Sequence, residues 1–266
     1  MTLHSTLPAS RIPRLVAAGW SRDLEVRGDL AGLDTAAPSV AIVGARAATR
    51  AAMDRAHRFA AHLARRGVLV VSGGALGIDG AAHRGALAGG GHTAVVLGSG
   101  VDVPYPKRHA ALFEAIVARG GALISMFPAG TQPLRHTFPR RNPLIAALAD
   151  CVIVVEADVR SGSLSTARAA SELARPLGAC PGSPGCARLL RSGAGVIETE
   201  ADVDALLAGA PRRSRQLELA ELDAVGQRVA EALQRGVRGV DAVVAETGLG
   251  VRDVLRAISS IEARMS

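Results

Sequence analysis

Aromatic side chains are scarce: one tryptophan, one tyrosine and four phenylalanines among 266 residues, or 2%. A ligand gripped mainly by stacked rings is excluded, and only Tyr105 and Phe138 fall near the basic loops described below. Lysine is scarcer still. Of 31 basic residues only Lys107 is a lysine, so a compact ammonium charge exists at one position and arginine serves at all others. The three cysteines, Cys151, Cys180 and Cys186, have no CxxC spacing. That argues against a thiolate metal site and reads as reduced thiols among apolar neighbours. No apolar run approaches the roughly 18 residues of a membrane span, and Met1–Pro13 has no secretory h-region. The expectation is a cytoplasmic protein with no membrane partner.

Two nucleotide motifs are also missing. A dinucleotide fingerprint needs GxGxxG after the first strand and an acid about twenty residues on. The first strand instead leads into Gly44-Ala-Arg-Ala-Ala-Thr49, and the second ends in Ser72-Gly73-Gly74 rather than an acid. Gly98-Ser-Gly100 has Val103 where the third glycine belongs, and no GxxxxGK[ST] occurs. No cofactor and no metal are expected.

What is present is positive charge and a strand–helix alternation. Net charge is +7 and the isoelectric point about 10.7, a balance that favours polyanionic partners. Short apolar runs at 40–43, 68–71, 93–97, 122–125, 151–155 and 177–180 lack period-2 alternation, and helical periodicity separates them. Such runs form a parallel sheet covered on both faces. Leu24–Gly28 reads as an edge strand, and 195–197 as another.

The stretch Ser39–Thr49 organises the rest. Four apolar residues end at Gly44, Arg46 stands in the turn, and Thr49 caps the following helix. Backbone N–H groups at such a turn point at one spot and suit an anion. Arg46, Lys107, Arg135, Arg140, Arg141 and Arg160 all fall at the carboxyl ends of strands, where ligands bind in open α/β sheets. The segment 126–141 reads as a long loop, with a short helix over 142–149. Asp79 and His83, four apart, read as a helix N-cap and its partner or a packing residue. The rival reading is a nucleotide-directed hydrolase on the same phosphate site, with Asp79, His83 or Glu156 in acid–base roles.

Six segments in this order carry a resemblance: VGARAAT (43–49), VSGGALGIDGAAHRGAL (71–87), LGSGVDVPYPKRHAALF (97–113), FPRRNPLIAAL (138–148), VVEADVRSGSLSTAR (154–168) and PGSPGCARLLRSGA (181–194). From about Leu24 to Leu207 the chain resembles the DprA/Smf family of DNA-processing proteins. The resemblance implies an α/β fold with an extended Rossmann-like sheet, usually dimeric. It implies single-stranded DNA binding without catalysis, and delivery of the strand to RecA recombinase in natural transformation. By motif, Arg46 and Lys107 correspond to phosphate contacts; Gly44, Arg140, Arg141 and Asn142 complete the implied DNA-binding set. Ala45 departs from the family's usual serine or cysteine, and Pro143 from the arginine of FPxRNR. The expected organisation is a short extension (1–38), a Rossmann-like domain (39–208), a linker (209–216) and a helix-turn-helix-like tail (217–266).

Overall fold

The computed structural model describes residues 4–29, 37–209, 223–235, 237 and 239–265. The chain divides into two units, 1–212 and 213–266. The expected linker, apart from Gly209, lies outside the described residues.

The first unit is built on one nine-stranded sheet. Its elements in order are β1 (Ser5–Leu7), α1 (Pro13–Ala17), β2 (Leu24–Gly28), β3 (Ser39–Val43), α2 (Arg50–Arg65), β4 (Leu69–Ser72), α3 (Ile78–Ala88) and β5 (Thr93–Val96). There follow α4 (Ala110–Ala118), β6 (Ala122–Ser125), α5 (Thr137–Ala147), β7 (Cys151–Val154), α6 (Ser163–Glu172), β8 (Leu177–Ala179), α7 (Pro184–Arg191), β9 (Gly195–Val196) and α8 (Glu200–Leu207). The spatial order is β1-β2-β6-β5-β4-β3-β7-β8-β9. From β6 to β9 all pairings are parallel. The sheet is nevertheless mixed, because β2 pairs antiparallel with β6, and β1 with β2. Leu24–Gly28 is thus not the edge strand expected of it: Ser5–Leu7 covers its outer side. Two strands before Ser39, β1 and β2, thus belong to the sheet.

The chain dictates both helical layers through β3 alone. Val40 and Ile42 face a core shared with Ala56, Phe59 and Leu63 of α2 and Ile78 and Ala82 of α3. Ala41 and Val43 face the opposite core, with Leu144 and Ile145 of α5 and Ala167 and Ala170 of α6. A strand buried on both faces has no polar side to show, which is why its run is apolar without alternation. Burial also explains the cysteines. Cys151 and Cys180 are buried, and desolvation pushes each thiol up to about 12, far from the thiolate that reacts or binds metal.

Topology then selects one place. The chain leaves β3 to build β4, β5 and β6 on one side, and returns to place β7 on the other. The gap between the β3 and β7 exits is a topological switch point, and the two loops diverging there leave a crevice.

The second unit is a small helical bundle: α9 (Ala224–Gln234), α10 (Val240–Thr247) and α11 (Val251–Met265). Asp223 caps α9 by accepting from Gly226 N at 2.7 Å. Val229, Ala230, Val243, Val254, Ala257 and Ile261 form its core. Gly248, at φ +65°, ends α10 in the left-handed conformation that a side chain resists.

Candidate nucleic-acid interface

The switch point opens into a cleft of about 720 Å³. Its walls are the β3 turn (Val43–Ala47), the β7 exit (Asp158, Arg160–Ser163) and one face of α5. Gly44 lines it, and has no room for a side chain: a Cβ there would stand 2.6 Å from Ile78 Cγ1 and 2.8 Å from the Glu156 carbonyl. The turn therefore packs directly on the start of α3. Gly77 completes that junction at φ +77°, with a Cβ position 2.6 Å from the Arg46 carbonyl.

Thr49 caps α2 as its sequence position predicts, accepting from Ala52 N at 3.2 Å. The anion at this helix start, however, belongs to the protein. Glu156 Oε2 accepts from Thr49 Oγ1 at 2.6 Å, and Oε1 from Thr49 N at 3.1 Å. A carboxylate at a helix N-terminus answers both the free amides and the dipole. Glu156 thus takes up the Thr49 amide and hydroxyl at that terminus, and the cleft lies beside it.

Cations supply the cleft's charge. Of the six basic residues placed on this rim from sequence, Arg46, Arg135, Arg141 and Arg160 line the cleft. Arg46, Arg135 and Arg160 are exposed, and among the described residues no carboxylate lies within ion-pairing distance of them. Arg46 rests its guanidinium 5.0 Å above the Phe138 ring. Tyr105 tilts against the same ring, centroids 5.5 Å apart. The two expected aromatics thus meet at the cleft, in contact with its first arginine.

The other two stand elsewhere. Lys107 is exposed but does not line the cleft; it sits in the turn beyond Tyr105 and Pro106. Arg140 lies 5.9 Å above Phe127 and does not line the cleft either. The cause is helical phase. The expected loop over 137–141 is the first turn and a half of α5, so consecutive residues point about 100° apart. Helix α5 contains Pro143, whose missing amide would have met the Pro139 carbonyl.

Arg141 and Asn142 build the floor. Arg141 Nη1 donates to the Gly73 carbonyl at 2.7 Å and to the Val96 carbonyl, and Nε donates to Asn142 Oδ1 at 2.9 Å. Burial lowers its pKa to about 10, with Asp79 opposing the shift. Asn142 Nδ2 donates to the Gly162 carbonyl at 3.1 Å and to Ser165 Oγ at 2.5 Å. Together they tie the ends of β4 and β5 to the start of α6.

Asp79 is not the N-cap of α3; Gly77 is, and Asp79 lies in the first turn, accepting from Ala75 N at 3.2 Å. Its carboxyl lines the cleft and burial raises its pKa, against the pull of Arg141. His83 is wholly buried, with Nδ1 2.7 Å from Thr93 Oγ1. Neither His83 nor Glu156 lines the cleft. The acid–base set of the hydrolase reading is therefore not brought together. Sequence reasoning missed the Glu156–Thr49 pairing, which joins positions 107 residues apart, and the floor role of Arg141.

Fold and site together define a class: a Rossmann-like α/β protein with a cation-lined cleft at its switch point. A sequence model of the DNA recombination-mediator protein A family matches residues 21–208. The chain belongs to this family. It is 42% identical over 247 residues to a DNA processing protein DprA of Mycobacterium tuberculosis, covering 87% of this chain and 63% of that relative. The Smf protein of Escherichia coli is 42% identical over 186 residues, 68% of this chain and 49% of its own length. The chain thus spans less than two thirds of either relative. The solved DNA processing protein A of Streptococcus pneumoniae superposes with a TM-score of 0.70 at 36% identity, covering 76% of this chain and 73% of that one. That of Helicobacter pylori, described for its single-stranded DNA binding mode, gives 0.69 at 32% identity, covering 78% and 97%. Among the described residues no helix is long and apolar enough to cross a membrane.

Proposed function

We propose that this chain binds single-stranded DNA in the switch-point cleft, without catalysis, and hands it to RecA recombinase. One observation carries the reading: three exposed arginines, Arg46, Arg135 and Arg160, with no carboxylate in ion-pairing distance among the described residues, line a cleft that also holds Phe138 and Tyr105. Guanidinium groups match backbone phosphates, and ring faces accept unpaired bases, which a duplex hides. The Helicobacter relative supports the choice of a single strand. Gly44 brings backbone to the strand. Arg141 and Asn142 act as positioning residues, holding the floor; Lys107 and Arg140 flank the cleft. Delivery to RecA, action as a homodimer and a cytoplasmic site complete the proposal by family likeness.

The test is a titration with single- and double-stranded oligonucleotides across a salt series. Tighter, salt-dependent binding of the single strand is expected. Equal, salt-insensitive binding to both overturns the reading. Release of free base from nucleoside monophosphates would favour the hydrolase instead.

A further inference from the structure

Lys107 has no place in the cleft, yet it does not stand alone. It opens the turn Lys107–His109, which follows Tyr105 on the cleft's rim. His109 is buried and anchors that turn: its Nδ1 donates to the Gly74 carbonyl at 3.0 Å, at the exit of β4. Lys107 and Arg108 are thereby held outward, both exposed.

Helix α3 runs alongside. A Cβ placed on Gly80 would stand 2.8 Å from His109 Nε2 and 3.3 Å from Arg84 Nη1. The bare backbone of Gly80 thus leaves room beside it for both the His109 ring and the Arg84 guanidinium. Arg84 reaches back toward the helix start, as long helical side chains do, and so toward the edge that carries the cleft. Its charge is felt in the core, where it helps hold His83 neutral. Among the described residues no carboxylate lies within ion-pairing distance of Arg84, Lys107 or Arg108. Elsewhere on this unit comparable arginines are paired: Arg50 with Asp54, Arg58 with Glu200, Arg66 with Asp204, Arg168 with Glu172.

We infer that Arg84, Lys107 and Arg108 form a second phosphate site, outside the cleft, that holds the strand after it crosses the Tyr105 rim. The inference rests on the reading of the cleft as a single-strand site. It assigns a role to Arg84 and Arg108, and it explains why Lys107 lies where it does. With no carboxylate in ion-pairing distance among the described residues, these cations are open to the phosphates of a phosphodiester chain.

Strand length separates the two sites. Oligothymidylates of roughly four and about twenty nucleotides are titrated at several salt concentrations, the short one reaching only the cleft. The variant Arg84→Gln/Arg108→Gln is compared with wild type and with Arg65→Gln/Arg191→Gln. The control pair removes equal charge from the last turns of α2 and α7, at the opposite sheet edge. The expected result is unchanged binding of the short strand and about tenfold weaker binding of the long one. The slope of log K on log salt should become shallower by about 1.4, the value for two single-strand phosphates. The control should match wild type. An unchanged long-strand affinity, an equal loss on the short strand, or an equal loss in the control each overturns the inference. Failure of wild type to bind either strand overturns the cleft reading itself.

Discussion

Gly73 leaves the space that Arg141 fills: a Cβ at Gly73 would stand 2.5 Å from the Arg141 Cζ. Both partners are buried, and the guanidinium also holds the Val96 carbonyl. Gly73→Ala must push the arginine out of its seat. Two carbonyls then lose a charged donor in a dry environment. A loss of about 1–3 kcal/mol is expected from overpacking of this kind, read as a lower urea midpoint with an unchanged m-value.

His83 sets an acid limit on stability. Thr93 Oγ1 donates to the Val70 carbonyl at 2.6 Å, so it accepts from His83 Nδ1. The ring's buried Nε2 has no hydrogen-bond partner among the described residues. Burial, helped by His109, Arg141 and Arg84, lowers its pKa to about 3. The unfolded chain takes up this proton near pH 6.5, the native state only near 3. The contribution is therefore full above 6.5 and is lost as pH falls toward 3. His83→Asn keeps a donor for Thr93 and removes the titration. Its unfolding free energy should fall with acid less steeply than that of wild type, by about 1.4 kcal/mol per pH unit between about pH 6 and 4. Parallel profiles would refute this.

Strand β3 and Thr49 show where sequence sufficed. Val40–Val43 announced a strand buried on both faces, because it offers no polar alternation. Thr49 announced its cap, because capping is local. The strand–helix alternation implied a parallel sheet with its functional loops at the carboxyl ends; the strand order that makes the switch point came only with the structure. What sequence hid depended on phase or on distance. Adjacent arginines 140 and 141 look equivalent until a helix turns them apart, and its first turns, with Pro139 among them, read as loop. Ser5–Leu7 is too short to signal a strand until Leu24–Gly28 pairs with it. Glu156 looked like a candidate acid, since nothing local records that it closes the start of α2.

That closure has a consequence for Glu156→Gln. The amide cannot match a carboxylate's interaction with Thr49 N and Oγ1, and it removes a charge from a helix N-terminus. A stability loss of about 1 kcal/mol is expected. Strand binding should move the other way. Glu156 is an anion adjoining the β3 turn, whose Ala45 amide donates to the Glu156 carbonyl at 2.7 Å, so its neutralisation should tighten binding at low salt. Thermal unfolding and a low-salt titration on one preparation check both signs. Weaker binding by a fully folded variant would show that Glu156 serves the strand directly.

Arg46 and Arg140 provide the sharpest contrast, because both lie over a phenylalanine and only one lines the cleft. Both are exposed, so neither substitution should unfold the protein. Arg46→Gln removes a phosphate partner from the cleft wall. It should weaken single-strand binding uniformly across sequences, by about tenfold, and make the salt slope shallower by about 0.7, the value for one phosphate. Arg140→Gln should change the affinity of a short oligonucleotide less than twofold, roughly the effect of one distant, screened charge. Anisotropy titrations of the same labelled strand at several salt concentrations compare them. If Arg140→Gln lost as much as Arg46→Gln, the strand would have to leave the cleft on the Phe127 side rather than over Tyr105, and the path toward Lys107 would be wrong.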